Sequence, residues 1–387
     1  MAENKLFELA PVIRGLLAGE SDDEDRPHRT VLLKALTDDA AVDFASSPDA
    51  AQGGAPPAGL RHTDTAPLYV EPPAESAEAR ESLASAVEKY AAQHGCKPPV
   101  VCVKGSGVLQ SADAPTDASS PLHNRVAMVT GAAGAIGHGI CQGLLERGAC
   151  VVATDLAGER FDALVEDLRA RYGKAVMGAA MDVTDKDSVA GAFDAATARF
   201  GGVDIVVVNA GIALVSKLME LDLDAFRKLE RVNVEGALLT LAEAGRHMKL
   251  QGTGGDIVIV STKNVPSPGA GFGAYSSTKA ACHQLGRIAS LELAEFDIRV
   301  NMVSPDAVFG GGQFKSGLWA EVGPGRMKAR GLDEAGLQDY YRGRNLLKAR
   351  VTARHVANAV LFFVTRQTPT TGATIPVDGG LPDATPR

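Results

Sequence analysis

Tyr275 and Lys279 stand four residues apart in Ala274-Tyr275-Ser276-Ser277-Thr278-Lys279, and Ser261 precedes the tyrosine by fourteen residues, just after the apolar run Asp256–Val260. On a helix, a spacing of four puts both side chains on one face. A free tyrosine, with a pKa of about 10, is a poor base at neutral pH. An ammonium held nearby favours the phenolate, which can take the proton of an alcohol while hydride leaves the carbon. Ser261 would hold the substrate oxygen by a hydrogen bond. Upstream, Val126–Thr130 runs straight into Gly131-Ala132-Ala133-Gly134-Ala135-Ile136-Gly137. Glycines between a strand and a helix let backbone N–H groups approach a pyrophosphate, and the helix N-terminus favours its charge. Taken singly, the first pair could be a surface contact and the glycines a plain turn. In sequence order they point to alcohol–carbonyl redox chemistry with a dinucleotide.

Asp155 closes the next apolar run, eighteen residues after Gly137. A carboxylate there can accept hydrogen bonds from an adenosine ribose and would repel a 2′-phosphate, so NAD is expected over NADP. The alternative for Asp155 is an N-cap on the following helix.

Positioning these residues requires strands whose ends meet. Candidate strands at 126–130, 150–155, 175–181, 204–208, 256–260, 298–303 and 373–377 alternate with helical patterns. That alternation predicts an α/β, Rossmann-type doubly wound parallel sheet of seven strands, with the strand C-termini and the ligand on one edge. This unit spans 122–387. Ahead of it, 1–104 reads as a smaller α/β appendage. Residues 1–20 suit an amphipathic helix through Leu6, Leu9, Ile13 and Leu17, and 47–59 a loop. A helix from Ala74 to about His94 and a strand at Val100–Val103 follow. The Gly, Ser, Ala, Asp and Pro of 105–121 predict a linker.

A net charge of −8 over 387 residues argues against nucleic-acid or anionic membrane partners, which need basic patches. The apolar fraction of 45% and charged fraction of 22% are ordinary for a soluble globular protein. No apolar run approaches the roughly 20 residues that span a bilayer, and Met1-Ala2-Glu3-Asn4-Lys5 does not open a signal peptide. The five cysteines are scattered without CxxC spacing and read as reduced core residues of a cytoplasmic protein. The eight histidines are dispersed, with no HxH pair, so no metal is expected.

From Arg125 to about Gly380 the chain resembles the short-chain dehydrogenase/reductase family, through Thr130-Gly131…Gly137, Asp182-Val183, Asn209-Ala210-Gly211, Asn233, Ser261, Tyr275 and Lys279 in that order. The resemblance implies that Gly131, Gly134, Ala135, Ile136, Gly137 and Asp155 hold the dinucleotide. By the same likeness Asp182 bonds the adenine amino group, Val183 lies against the ring, and Asn209-Ala210-Gly211 stabilises the central strand. Asn233 would hold a water linking Lys279 to solvent, Tyr275 and Lys279 would reach the ribose, and the Val308 backbone would meet the carboxamide. Members commonly form tetramers, so a homotetramer is implied. Three departures stand out. Ala135 replaces the second glycine of the TGxxxGIG loop, where a methyl crowds the cradle and Gly134 next door compensates. Pro305-Asp306-Ala307-Val308 replaces a Pro-Gly pair, with Gly310 where many members carry Thr. Residues 309–350 form a long substrate-loop insertion.

A narrower similarity covers nearly the whole chain. Ser261-Thr262-Lys263-Asn264, Pro305–Val308, Tyr340-Tyr341-Arg342-Gly343-Arg344-Asn345-Leu346-Leu347 and the tail Val377–Gly380 ending in Pro386-Arg387 are similar to the dehydrogenase half of bifunctional rhamnulose-1-phosphate aldolase/dehydrogenases. Leu36-Thr37-Asp38, His62-Thr63 and Pro67–Val70 carry a weaker likeness to the back of their aldolase half, a degenerate remnant without lyase chemistry. The expected substrate is a small sugar, polyol or hydroxy-aldehyde. Lys263 and the Arg342/Arg344 pair could meet a substrate anion or be solvated surface charges, and Tyr340, Tyr341 and Trp319 could line a lid or pack in a core. The alternatives are a ketone or 3-oxoacyl reductase using NAD(P)H and a non-catalytic NAD-binding structural or sensory protein.

Overall fold

Seven runs rich in Val and Ile form one parallel sheet, in the spatial order Thr374–Val377, Ile298–Pro305, Gly255–Val260, Ile205–Val208, Val126–Thr130, Cys150–Asp155, Val176–Ala180. The computed structural model describes residues 2–49, 56–73, 76–311 and 314–384. Every residue of the three central strands is buried. Helices on both faces exclude water from the whole strand, so these strands read as continuous apolar runs rather than alternating ones. Ala135–Glu146, Glu159–Tyr172 and Ala353–Val364 cover one face. Lys186–Phe200, Gly236–Gln251 and Gly273–Glu292 cover the other. Strand order reverses between Val126–Thr130 and Ile205–Val208. Open α/β sheets bind ligands at such a switch point, beyond the strand C-termini.

The front of the chain is a second sheet, ordered Leu32–Leu36, Gly107–Ala112, Val100–Val103, Leu68–Val70. Helices Ala2–Leu17 and Ser76–His94 pack on it, burying Leu6, Leu9, Ile13 and Leu17 as their helical period predicts. The expected linker over 105–121 is a correction, because Gly107–Ala112 is an inner strand paired on both sides. Only two of its residues, Val108 and Leu109, are large and apolar, and Gln110 follows them into the interior. That glutamine is satisfied by the Arg61 N–H at 2.9 Å and the Gly59 carbonyl at 2.8 Å, which lets a polar residue occupy a core position. Part of the loop expected over 47–59 lies outside the described residues. A second correction concerns Cys96, which is exposed, whereas the other four cysteines are buried.

The two units are joined at the N-terminal edge of the large sheet. Arg14, on the first helix and 1% exposed, donates to both Asp204 carboxylate oxygens at 2.9 and 2.8 Å and to the Val31 carbonyl at 2.6 Å. Asp204 also accepts the Val126 N–H at 2.7 Å and the Gln251 side-chain amide at 2.9 Å. Burial alone would raise this carboxyl; Arg14, with Arg125 behind it, instead holds it at about 2. Nearby, Asp25 pairs with Arg299 at 3.0 Å, and Arg26 donates to the Pro121 and Thr365 carbonyls. The front unit thus closes the end of the sheet opposite the glycine loop. Among the described residues no helix is long and apolar enough to cross a membrane.

Candidate active site

The glycine loop has the shape its sequence requires. Gly131 sits at φ +62°, and a Cβ there would lie 2.8 Å from Ala210 Cα. A Cβ on Gly137 would lie 2.3 Å from the Gly131 carbonyl oxygen, so the helix Ala135–Glu146 is seated directly on the turn. This bare backbone at a helix N-terminus fits a pyrophosphate. Asp155 braces the loop, accepting the Ala133 N–H and the Leu156 N–H, each at 2.8 Å. It does not cap the next helix, since Gly158 holds that position. Asn209 ties the central strand to the turn through the Thr130 carbonyl at 2.8 Å and the Gly131 carbonyl at 2.9 Å, while the Thr130 hydroxyl accepts the Ala210 N–H at 2.9 Å. Asp182 is engaged by Thr184, whose N–H and hydroxyl donate to it at 2.9 and 2.8 Å.

From this loop a cavity of about 1000 Å³ runs to the insertion. All the residues expected to touch a dinucleotide line it, from Gly131 through Asp182 and Val183 to Val308, and so do Ser261, Tyr275 and Lys279. Tyr275 and Lys279 project from the helix Gly273–Glu292, and the Lys279 ammonium donates to the Val260 carbonyl at 3.0 Å. Asn233 is not on the wall. It lies in a π-helical turn, Arg231–Glu235, behind Gly211. Its side-chain oxygen accepts the Ile212 N–H at 2.9 Å, and its amide donates to the Ile212 carbonyl at 2.9 Å and to Thr278 at 3.1 Å. A methyl on Gly211 would meet Asn233 Oδ1 at 3.1 Å and Lys279 Nζ at 3.2 Å, so amide and ammonium border the same gap.

Two of the sequence departures turn out to touch. A Cβ on Gly310 would lie 2.7 Å from the Ala135 methyl, so the bare Gly310 makes room for that methyl. The insertion folds into the helices Gly317–Arg330 and Glu334–Arg344. Trp319 stacks on Phe309 at 4.4 Å and meets Tyr341 edge-on at 4.9 Å. Lys263, Arg344, Trp319, Tyr340 and Tyr341 line the cavity, but Arg342 does not; it is exposed and paired with Asp339 at 3.6 Å.

The sequence reading passed over His283. Its Nδ1 lies 3.0 Å from the Ser261 hydroxyl. Burial, then Arg287, pulls this imidazole below its ordinary range, which keeps it neutral and able to accept at neutral pH. The signal was there, because His283 follows Lys279 by four residues on the same helix face. Arg326, stacked on Phe272 at 4.3 Å, was also missed, because an arginine on a long insertion carries no motif. His62 is exposed, and no group of three or more His, Cys, Asp or Glu among the described residues is arranged to hold a metal.

Residues 125–313 match the short chain dehydrogenase family. The chain is 38% identical over 265 residues to the uncharacterized oxidoreductase YuxG of Bacillus subtilis, a match covering 68% of this chain and 38% of that protein. It is 34% identical over 265 residues to the mitochondrial (−)-isopiperitenol/(−)-carveol dehydrogenase of Mentha piperita, covering 67% of this chain and 94% of that enzyme. The crystal structure of L-sorbose reductase from Gluconobacter frateurii, complexed with NADPH and L-sorbose, aligns with a TM-score of 0.61 at 25% identity, over 67% of this chain and 97% of its own.

Proposed function

Since this chain belongs to the short-chain dehydrogenase family and is an oxidoreductase of CH–OH groups, we propose that it interconverts an alcohol and a carbonyl on a small sugar, polyol or hydroxy-aldehyde, with NAD. One observation carries this reading: the glycine loop and the Ser261, Tyr275, Lys279 group open on one continuous cavity. Bound along the loop, the nicotinamide would supply the hydride acceptor or donor. Ser261 orients the substrate oxygen, Tyr275 takes or returns its proton, and Lys279 places an ammonium on the same stretch of cavity. Asn233 acts behind them, fixing the Gly211–Ile212 backbone against which Lys279 rests. A sensor would have no use for this set. A panel of polyols and hydroxy-aldehydes followed by NADH absorbance tests the proposal, and no turnover of any member speaks against it.

NAD is favoured by the Asp155 carboxylate at the ribose end. A second reading, NADP(H), is supported by Arg160, which lines the same end and could meet a 2′-phosphate. Calorimetric titration with both nucleotides decides. Tighter NADP binding overturns the NAD assignment, and Asp155→Ala should narrow the gap between the two. For the front unit we infer a remnant of an aldolase half that serves assembly and stability rather than lyase chemistry. Exposed Leu238, Ile288 and Leu291 on neighbouring helices support a homotetramer, which light scattering would test.

A further inference from the structure

The substrate end of the cavity carries more positive charge than proton and hydride transfer use. Lys263 follows Ser261 by two residues, Arg326 comes from the first insertion helix and Arg344 from the second, and all three line the cavity. Among the described residues none of them is paired with a carboxylate. Lys263 donates to the Ser267 carbonyl at 3.2 Å, Arg326 lies 4.3 Å over the Phe272 ring, and Arg344 lies 5.1 Å over the Tyr341 ring. Among the described residues none of the three has a salt-bridge partner. The Nε of Arg326 is buried with no hydrogen-bond acceptor. A buried charged donor in that state costs more than the roughly 1–3 kcal/mol of a neutral one, unless an acceptor arrives.

Acids share the site without forming ion pairs to these three cations among the described residues. Asp306 and Glu321 line the same cavity with the three cations and Arg330, and Asp383 also acts on Lys263. Burial and then Arg344 push the Lys263 ammonium below the ordinary lysine range, with Asp306 opposing and Arg326 adding to the effect. Cations crowded together in a partly dry cleft are relieved by an anion, and the planar guanidinium fork suits the oxygens of a carboxylate or phosphate. The position is also informative. Phe272, under Arg326, has its ring centroid 6.1 Å from that of Tyr275, and Lys263 lies two residues after Ser261. The anion would lie in the cavity that Ser261 and Tyr275 also line.

We propose that the substrate is an anionic alcohol or ketone, a hydroxy-carboxylate or a phosphorylated polyol, whose acidic group is bound by Lys263, Arg326 and Arg344 while its carbinol lies against Ser261 and Tyr275. This rests on the dehydrogenase reading and sets an acidic substrate in place of the neutral ones named there.

The test compares propane-1,2-diol, lactate and propane-1,2-diol 1-phosphate, each with NAD and with NADP. At least one anion should exceed the neutral diol in kcat/KM by about tenfold or more, the scale of one charge-assisted hydrogen bond. The lactate and phosphate arms show which acid is preferred. Arg326→Gln and Arg344→Gln should each collapse the ratio of anion to diol, and Arg344→Lys should restore part of it. Equal or faster turnover of the diol, or a ratio unmoved by both glutamine variants, overturns the proposal. If nothing turns over here or across the polyol and hydroxy-aldehyde panel, the dehydrogenase reading fails, and calorimetry decides the anion site separately. Inorganic phosphate or acetate should then bind saturably to the NADH-loaded protein, and the double variant Arg326→Gln/Arg344→Gln should abolish it. No saturable binding to the unaltered protein overturns the site.

Discussion

Replacing Arg14 by Met tests whether the front unit is part of the folded enzyme or a removable addition. Arg14 and Asp204 are 1% and 0% exposed, and the guanidinium bonds both carboxylate oxygens at 2.9 and 2.8 Å. Removing one partner of such a buried pair typically costs about 3–5 kcal/mol, because the other charge stays behind unpaired. The Asp204 carboxyl points the same way. Asp204 is held at about 2 against an ordinary 3.8, a difference worth of order 2 kcal/mol. Its carboxyl is depressed in the folded state, so this stabilisation is complete above the unfolded value and is lost as pH falls through the folded one. In Arg14→Met, burial pushes the carboxyl up instead, so the variant is relieved when Asp204 takes a proton. The stability gap between the two proteins should therefore be widest near neutrality and shrink toward pH 4. Urea denaturation followed by circular dichroism at pH 7 and pH 4 measures it, and adding Asp204→Asn to Arg14→Met should recover part of the loss. Removal of residues 1–118 should be worse, since it also strips the partners of Gln251, Arg299 and Arg366 at that end of the sheet. If Arg14→Met denatures at the same urea concentration as the unaltered chain, or the gap does not change with pH, the buried pair does not fasten the two units as argued here.

Tyr275→Phe should keep nucleotide binding but lower kcat by about 10²–10⁴-fold, the usual contribution of a positioned acid–base group; near-normal turnover would favour a non-catalytic nucleotide-binding protein. Ser261→Ala should cost less, because it removes a hydrogen bond and no proton carrier. His283→Phe should mimic part of the Ser261→Ala loss in kcat, and its informative readout is the pH profile. With an imidazole pulled below its ordinary 6.5, the unaltered enzyme should show a limb on the acid side, because protonation of His283 changes which partner the single Ser261 O–H serves. That limb should vanish in the variant, and a profile unchanged by His283→Phe would show that the histidine does not position the serine.

What was legible in the chain followed from periodicity and from short-range backbone demands. The large sheet is written in runs of Val and Ile because both its faces are dry, and the glycine loop is written in residues that alone permit its turn. Gly107–Ala112 escaped because a strand can bury a glutamine when two backbone groups wait for it, and hydrophobic pattern does not register a satisfied polar side chain. Asp155 shows a different limit. Its type and position were read as a ribose partner, yet its carboxylate also holds the loop's own Ala133 N–H, so one residue serves the cradle's shape and faces the ligand's end of it. Long-range partners were least visible. Arg14 meets Asp204 across 190 positions, and Gly310 meets Ala135 across an insertion that has no periodic signature. Read singly, Ala135 looked like a defect in the cradle and Gly310 like a lost threonine. In space they are one adjustment, the methyl of the first occupying the room the second leaves. Substrate charge belongs with these long-range features. Lys263, Arg326 and Arg344 come from three separate elements, and only folding brings them to the cavity that Tyr275 also lines.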